Sequence, residues 1–184
     1  MEFQKGMDLS FIPELEDAGV QVKDFDGTIM DPLDLVQKYG VNSVRLRIWN
    51  APEHVRESGG YCSYAHTLAM AKRIRAHGMS FMLDFHYSDF WADPGKQKAP
   101  KAWAGYTIDQ KVTAVSDYTT ASITELLDAG VDVGMVQVGN ETNNGVCGES
   151  TWENMCRIFD AGADAVHACL LYTSDAADDL TRVD

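Results

Sequence analysis

Hydrophobic positions follow one repeating order along most of the chain. Apolar residues recur at every third or fourth position, a glycine follows, and a short apolar run comes next, as in an amphipathic helix followed by a strand. The apolar runs predict strands at residues 3–7, 41–49, 79–84 and 135–139. The amphipathic stretches predict helices that begin near residues 32, 64, 107 and 151, and the first three are predicted to end at Gly40, Gly78 and Gly130.

Two of these helices carry recognisable start signals. Asp31 stands where a capping side chain is needed, and Pro32 occupies the first helical position, where its missing N–H costs nothing. Thr107 and Gln110 have the spacing of a capping box. The apolar stripe of the first helix is predicted to consist of Leu35, Val36 and Tyr39.

The alternation of strands and helices predicts βαβ crossovers and a parallel sheet, and therefore an α/β fold. The four βα units occupy residues 1–168, whereas a complete (β/α)8 TIM barrel takes about 250 residues. We therefore interpret 1–168 as the first half of such a barrel. On this pattern alone, a complete small doubly wound domain of four or five strands is the alternative.

Polar and aromatic residues follow every predicted strand. They are Asp8 after the first strand, Arg45, Arg47 and Trp49 on the second, Asp84, His86 and Tyr87 at the third, and Asn140 and Glu141 after the fourth. In (β/α)8 barrels the catalytic groups sit at the carboxyl ends of the strands. This distribution favours the barrel over the doubly wound domain.

The last 16 residues, 169–184, differ in character from the rest. Their text, CLLYTSDAADDLTRVD, resembles the translation of a transposase adapter used in preparing DNA libraries. We expect a non-native tail joined to the coding sequence near Ala168. A genuine polar, acidic terminus is the alternative.

Composition excludes several classes of partner. The chain has 28 acidic and 15 basic side chains and a net charge of -13, so a nucleic-acid partner is not expected. No stretch approaches the roughly 18 apolar residues of a membrane helix, and no membrane partner is expected. The four cysteines include no CxxC pair and are interpreted as isolated thiols. The first residues lack the apolar core of a signal peptide, which indicates a cytoplasmic protein as written, or an extracellular one if the true start lies upstream.

The segment MVQVGNETNNG, residues 135–145, begins as an apolar strand and ends in polar residues. Asn140 and Glu141 stand where this strand should leave the sheet. A carboxyl group there, partly removed from water by the barrel wall, can serve as a general acid, and the adjacent amide can hold a substrate hydroxyl. A loop carboxylate beside an asparagine turn is the alternative.

The segment VRLRIW, residues 44–49, alternates with a period of two. The alternation places Val44, Leu46 and Ile48 on one face and Arg45, Arg47 and Trp49 on the other. Two arginines that point into a barrel need carboxylate partners, since an unpaired charge in a core is costly. An exposed edge strand with solvated arginines is the alternative.

The segment LDFHYSDFWADPGKQ, residues 83–97, combines aromatic residues with carboxylates. Such loops suit sugars, because ring faces stack on the pyranose and carboxylates accept hydroxyl hydrogen bonds. Trp91 and Trp103 are the candidate platforms, although each could simply pack the loop. Asp84, His86 and Asp89 are also conceivable as metal ligands, but their spacing is a weak signal for a metal.

The segments KGMDLS, VNSVRLRIW, LDFHYSDFWADPGKQ and VQVGNETNNG together resemble glycoside hydrolase family 53, the endo-β-1,4-galactanases that act on arabinogalactan. The resemblance spans about residues 3–167. DFHYSDFWADPGKQ is highly specific, whereas VRLRxW and GNE are shared across clan A of the glycoside hydrolases. The resemblance implies a (β/α)8 barrel and a retaining double displacement.

The resemblance also implies roles for individual residues. Glu141 would be the acid/base, Asn140 its partner at the substrate 2-hydroxyl, Arg45 the partner of the nucleophile, and His86 a residue lining the site. The predicted substrate-binding residues are Asp8, Arg47, Trp49, Asp84, Tyr87, Asp89 and Trp91. The nucleophile of the family, a glutamate on the seventh strand, has no counterpart in this chain. No cofactor or metal ligand is predicted here, and the calcium site of some members would lie in the later half.

The resulting hypothesis is the N-terminal half of an enzyme that cleaves galactan or galacto-oligosaccharides, as in plant cell-wall pectin. Lacking the second carboxylate, the chain alone is expected to be inactive. Another clan A β-1,4-glycanase, such as a mannanase or cellulase, is one alternative. A non-catalytic carbohydrate-binding half-barrel is the other.

Overall fold

The computed structural model describes residues 3–179, and the side chains of residues 3–170. Its four strands are β1 (Gly6–Asp8), β2 (Ser43–Ile48), β3 (Ser80–Phe85) and β4 (Met135–Val138). Its five α-helices are α1 (Ile12–Asp17), α2 (Pro32–Lys38), α3 (Tyr64–Ala76), α4 (Ile108–Asp128) and α5 (Trp152–Asp179). Short 3-10 turns cover Pro52–His54, Arg56–Ser58 and Lys101–Trp103.

The four strands form one parallel sheet in the order β1-β2-β3-β4. In a doubly wound domain the strand order reverses at a switch point, whereas in a (β/α)8 barrel each strand pairs with the next along the chain. The observed order is that of a barrel, and the architecture is four successive βα units of a (β/α)8 fold. The prediction of the fold class is confirmed.

All four predicted strands exist, and the first begins three residues later than predicted. Residues 3–5 lie beside β2 but are held partly by a side chain: the Asn42 amide accepts from the Lys5 N–H at 2.7 Å and donates to the Phe3 carbonyl at 2.9 Å. Regular backbone pairing therefore begins only at Gly6, opposite Ser43.

The core lies between the sheet and the helices. Val44, Leu46 and Ile48 of β2 are buried, as are Phe81, Leu83 and Phe85 of β3. They form one cluster with apolar side chains from α3, α4 and α5. The predicted apolar face of β2 is therefore confirmed, and the opposite face is left for Arg45 and Arg47.

The helix boundaries follow the predicted local signals. The Asp31 carboxylate accepts from the Leu33 N–H at 2.7 Å, and both hydrogen bonds of the Thr107–Gln110 capping box are present. Gly40, Gly78 and Gly130 adopt positive φ angles just after their helices, where glycine relieves the Cβ clash.

The apolar stripe predicted for α2 is wrong in part. Leu33 is the fully buried residue of this helix, and Tyr39 is 54% exposed. Tyr39 is the residue at the C-terminal cap, and its phenol donates to Asp24 at 2.5 Å. The short helix α1 was not predicted, because six residues are too few to show a periodicity.

The predicted boundary at residue 168 falls within α5, and residues 180–184 of the predicted tail lie outside the described residues. The non-native tail stays a prediction. No helix in the described part of the chain is long and apolar enough to cross a membrane.

Candidate active site

The carboxyl ends of the four strands bring the predicted polar residues to one edge of the sheet. In the register of the sheet, Asp8 lies opposite Arg45, and Arg47 lies opposite Asp84, whose other neighbour is Gln137. Side chains from four separate segments therefore meet on the face of the sheet that does not pack against the helices.

Arg45 is the centre of this arrangement. One of its terminal nitrogens, Nη1, donates to Asp8 Oδ2. The other, Nη2, donates to Asp84 Oδ2 and, at 2.8 Å, to Asn140 Oδ1. One guanidinium on β2 thus connects residues that follow or end β1, β3 and β4. The prediction that the arginines of this strand need carboxylate partners is confirmed.

Asn140 is buried and held at both ends of its amide. Its oxygen accepts from Arg45 and, at 3.1 Å, from Gln137 Nε2, while its nitrogen donates to the Ala92 carbonyl at 2.8 Å. The amide orientation is therefore fixed before any ligand binds. Such preorganisation is what a residue that positions a substrate hydroxyl requires.

Glu141 follows Asn140 directly and has an exposed side chain. Its φ of 48° lies in the left-handed region, which is unfavourable for a residue with a Cβ, and residues strained in this way cluster at functional sites. Gln97 restrains the turn, because its Nε2 donates to the carbonyls of Asn140 at 2.8 Å and Glu141 at 3.2 Å.

The barrel wall expected around Glu141 is not seen, and the carboxylate faces solvent. β4 is an edge strand of the sheet, so among residues 3–170 no further strand covers Glu141 on its outer side. The residues that the structure describes therefore do not shield this carboxyl group from water, as the sequence had predicted the barrel wall to do.

His86 is buried, and its hydrogen bonds determine its tautomer. Nδ1 receives two N–H groups, from the Trp49 indole at 3.0 Å and the Ala92 backbone at 3.1 Å. A nitrogen facing two donors must be an acceptor, so the proton resides on Nε2, which donates to Asp84 Oδ2 at 3.1 Å. His86 therefore orients Asp84 through this hydrogen bond.

Two residues predicted to contact the sugar, Trp49 and Tyr87, have buried side chains in this structure. Tyr87 is completely buried between the sheet and α4, where its ring stacks on Phe85 and its hydroxyl meets Thr119 Oγ1 at 2.8 Å. Burial also raises the pKa of its phenol well above the ordinary value. Trp49 is 1% exposed and lies beneath the rings of Phe90 and Trp91.

Arg47 is likewise removed from any ligand. It is buried, and its guanidinium carbon lies 4.1 Å from the centre of the Phe11 ring and 4.2 Å from that of Trp91. Its Nη2 donates to Asp8 at 3.3 Å, while Nε and Nη1 have no hydrogen-bond partner. The two rings enclose the cation, so Arg47 supports the half-buried Trp91 instead of binding substrate.

Asp89 is a structural residue in this arrangement. Its two carboxylate oxygens accept the backbone N–H groups of Ala51 at 3.1 Å and Lys101 at 2.8 Å, which joins two loops. It therefore does not share a metal with Asp84 and His86. No group of three or more His, Cys, Asp or Glu in the described part of the chain is arranged to hold a metal ion.

Sequence reasoning missed three contributors. Phe11 stacks on Arg47, Gln97 holds the turn at Glu141, and Gln137 fixes Asn140. Gln137 could have been found, because it alternates with Val136 and Val138, the apolar residues of β4. Phe11 and Gln97 lie in loops, and no periodic pattern in the sequence predicts that they reach the site.

Comparison with known proteins gives a consistent result. The sequence model of Glycosyl hydrolase family 53 matches residues 4–177. The chain is 44% identical over 168 residues to an endo-beta-1,4-galactanase of Bacillus subtilis (strain 168), covering 90% of this chain and 39% of that protein. It is 35% identical over 173 residues to an arabinogalactan endo-beta-1,4-galactanase of Cellvibrio japonicus (strain Ueda107), covering 89% and 45%.

Solved structures agree with these relatives. The GH53 catalytic domain of Ignisphaera aggregans superposes with a TM-score of 0.84 at 35% identity, covering 91% of this chain and 48% of that one. A structure from a study of two fungal beta-1,4-galactanases gives 0.82 at 32% identity, covering 90% and 49%. The chain spans less than half the length of each of these proteins. With the family's pattern matched over nearly its whole length, the chain belongs to glycosyl hydrolase family 53.

Proposed function

We propose that the protein to which this chain belongs is an endo-acting, retaining glycosidase that cleaves β-1,4-galactan. Relatives named as endo-β-1,4-galactanases support the substrate, and the gathering of Arg45, Asp84 and Asn140 next to Glu141 supports the chemistry. The observation that carries the proposal is Glu141, an exposed carboxylate in a strained left-handed conformation directly after the immobilised Asn140.

Glu141 acts as the acid and base in this mechanism. Retaining hydrolysis needs two carboxyl groups about 5–5.5 Å apart, one that protonates the leaving oxygen and one that attacks the anomeric carbon. After the first half-reaction, the carboxylate of Glu141 takes a proton from the incoming water. Asn140, whose Nδ2 has a second hydrogen, donates to the 2-hydroxyl of the sugar.

The attacking carboxylate comes from another strand of the complete barrel. Asp8 and Asp84 do not provide it, because both are engaged by Arg45, and Asp84 is fully buried. Their role is to orient the guanidinium of Arg45, which then faces the attacking carboxylate and keeps it ionised. The 184-residue chain by itself is expected to turn over no galactan.

The sugar-binding surface next to this site is aromatic. The half-buried ring of Trp91 and the 36% exposed ring of Phe11 lie with their centres 5.9 Å apart. Both rings have apolar faces that suit the C–H groups of a galactose ring. They take the place of Trp49 and Tyr87 in the predicted cleft.

The test is replacement of Glu141 in the complete barrel. Glu141→Ala should slow hydrolysis of galactan by several orders of magnitude, and should slow an aryl galactoside with a good leaving group much less, because that group departs without a proton. The matched control is Glu153→Gln, which changes an exposed glutamate at the start of α5. Near-normal galactan turnover by Glu141→Ala would remove Glu141 from its role.

Substrate range separates the remaining alternatives. A galactanase hydrolyses galactan but neither mannan nor carboxymethylcellulose, and hydrolysis of the latter two would indicate another clan A glycanase. A non-catalytic module would bind galacto-oligosaccharides without cleaving them.

The proposed reaction uses only carboxyl groups as acid, base and nucleophile. We therefore propose that it needs no cofactor. Galactan turnover measured immediately after treatment with EDTA checks this.

A further inference from the structure

A cleft of about 390 Å³ opens beside Trp91, away from the network around Arg45. It lies between the loop that follows β2 and the loop that follows β3. Its walls include Val55, Phe90, Trp91, Lys96, Lys98 and Lys101. Apart from the ring of Trp91, no residue in the wall of this cleft has a part in the proposed hydrolysis.

The charge of the cleft is opposite to that of the protein. Three of the eight lysines in the sequence stand at residues 96–101, in a chain with a net charge of -13. Lys96 has Asp93 at 3.5 Å, and the Lys96 side chain is well exposed. Within residues 3–170, no carboxylate lies within ion-pair distance of the Lys98 or Lys101 ammonium group.

The carboxylate in the cleft wall, Asp89, does not form an ion pair with the lysine ammonium groups. Asp89 lines the cleft, but its oxygens accept the backbone N–H groups of Ala51 and Lys101. Its hydrogen-bonding capacity is directed at the loop backbone. The lysine ammonium groups therefore remain available to an anion from solution.

The aromatic walls specify what kind of anion fits. Phe90 and Trp91 contribute aromatic rings to the wall, and the lysine side chains add aliphatic stems beneath their charged ends. A ligand that matches both features has an apolar pyranose face and an ionised carboxylate. Inorganic anions match only the charge, and neutral sugars match only the rings.

We propose that this cleft binds a hexuronate unit of an acidic polysaccharide. Trp91 is shared between the two regions, since its ring borders the cleft and also packs over Arg47 beside Phe11. A glycan with both neutral and acidic units could thus occupy the galactan site and the cleft together. That arrangement rests on the proposed function, whereas binding of a hexuronate to the cleft does not.

The experiment measures binding, with no hydrolysis involved. An oligomer of three galacturonate units, a neutral galactotriose and sodium sulfate are titrated separately into the ¹⁵N-labelled chain, with amide shifts and calorimetry as readouts. The galacturonate oligomer should shift the amides of residues 96–101 and bind more weakly as sodium chloride is raised. Galactotriose should leave those amides unshifted.

Charge removal identifies the groups responsible. Each of Lys96→Gln, Lys98→Gln and Lys101→Gln should weaken the binding of the galacturonate oligomer by about 1.5-fold to fivefold, the range for exposed ion pairs. If the three effects are independent, the triple variant should weaken it by about threefold to a hundredfold. Lys72→Gln, an exposed lysine on α3, is the matched control and should have no effect.

Three results would overturn the proposal. They are absence of binding, an unchanged affinity in the triple variant, and sulfate binding as tightly as the galacturonate oligomer, which would indicate a simple anion site. None of these bears on galactan hydrolysis, and loss of the role of Glu141 would leave this binding result standing. The failures of the two proposals are therefore distinguishable.

Discussion

Asp84 provides the most direct test of how the site is held together. Its side chain is fully buried, and one oxygen, Oδ2, accepts from both Arg45 Nη2 and His86 Nε2. The other oxygen, Oδ1, has no hydrogen-bond partner. Asp84→Asn preserves the shape of the side chain but removes its charge.

The cost can be bounded from these contacts. Breaking a buried ion pair by removing one partner typically costs about 3–5 kcal/mol. Arg45 is 25% exposed and retains Asp8 and Asn140, and the new amide oxygen can still accept one hydrogen bond. We therefore expect a loss nearer to that of one charge-assisted hydrogen bond, about 2–3 kcal/mol. In a chain of this length, such a loss lowers Tm by about 5–10 °C.

Urea unfolding, followed by tryptophan fluorescence, measures this loss. Asp117→Asn, which changes an exposed carboxylate on α4, is the matched control and should stay within about 0.5 kcal/mol of the parent. A double-mutant cycle with Arg45→Met should give a coupling energy above about 1 kcal/mol. If Asp84→Asn is as stable as the parent, or the coupling is absent, the network does not hold Arg45 as described.

Three further predictions concern Glu149, His86 and Gly162. Burial opposes ionisation of Glu149, but the hydrogen bonds from the Lys111 ammonium and the Asn154 amide, together with the charge of Lys111, outweigh it and lower the pKa of Glu149. Glu149→Gln should therefore lower Tm at pH 7, and this difference should shrink as the pH falls below about 4.5. A loss of Tm that is independent of pH would count against the pairing. Nitrogen NMR of the imidazole should find the ring proton of His86 on Nε2, and a proton on Nδ1 would refute the assigned tautomer. Gly162→Ala should destabilise the fold by about 1–3 kcal/mol, because its Cβ would lie 2.5 Å from a Val138 methyl group, and unfolding at parental urea concentrations would show that α5 can shift to make room.

Local chemistry made much of the fold predictable from the sequence. The Asp31 cap, the Thr107–Gln110 capping box and the glycines after the helices act within a few residues of their own positions, and each formed as predicted. Alternation along β2 correctly separated the core face from the arginine face. The parallel strand ends then had to meet at one edge, which brought Arg45 and Asn140 together.

The alternation of side chains along β3 also predicts the position of Tyr87. His86 continues the inward face of Asp84, so the next residue, Tyr87, belongs to the opposite face, against α4. Its aromatic character suggested a sugar contact, whereas its parity placed it in the core. For Tyr87, the period of the strand was the better guide.

The sequence by itself determined the elements, their order and the polar residues at the strand ends, because caps, periodicity and strand direction are local properties. Only the tertiary structure decided which of those polar and aromatic side chains a ligand can reach. Trp91 packs against Trp49 and Arg47, and the Asp89 carboxylate accepts a hydrogen bond from the backbone of another loop. Accessibility depends on loops that arrive from distant parts of the chain, and no pattern within a single strand encodes their positions.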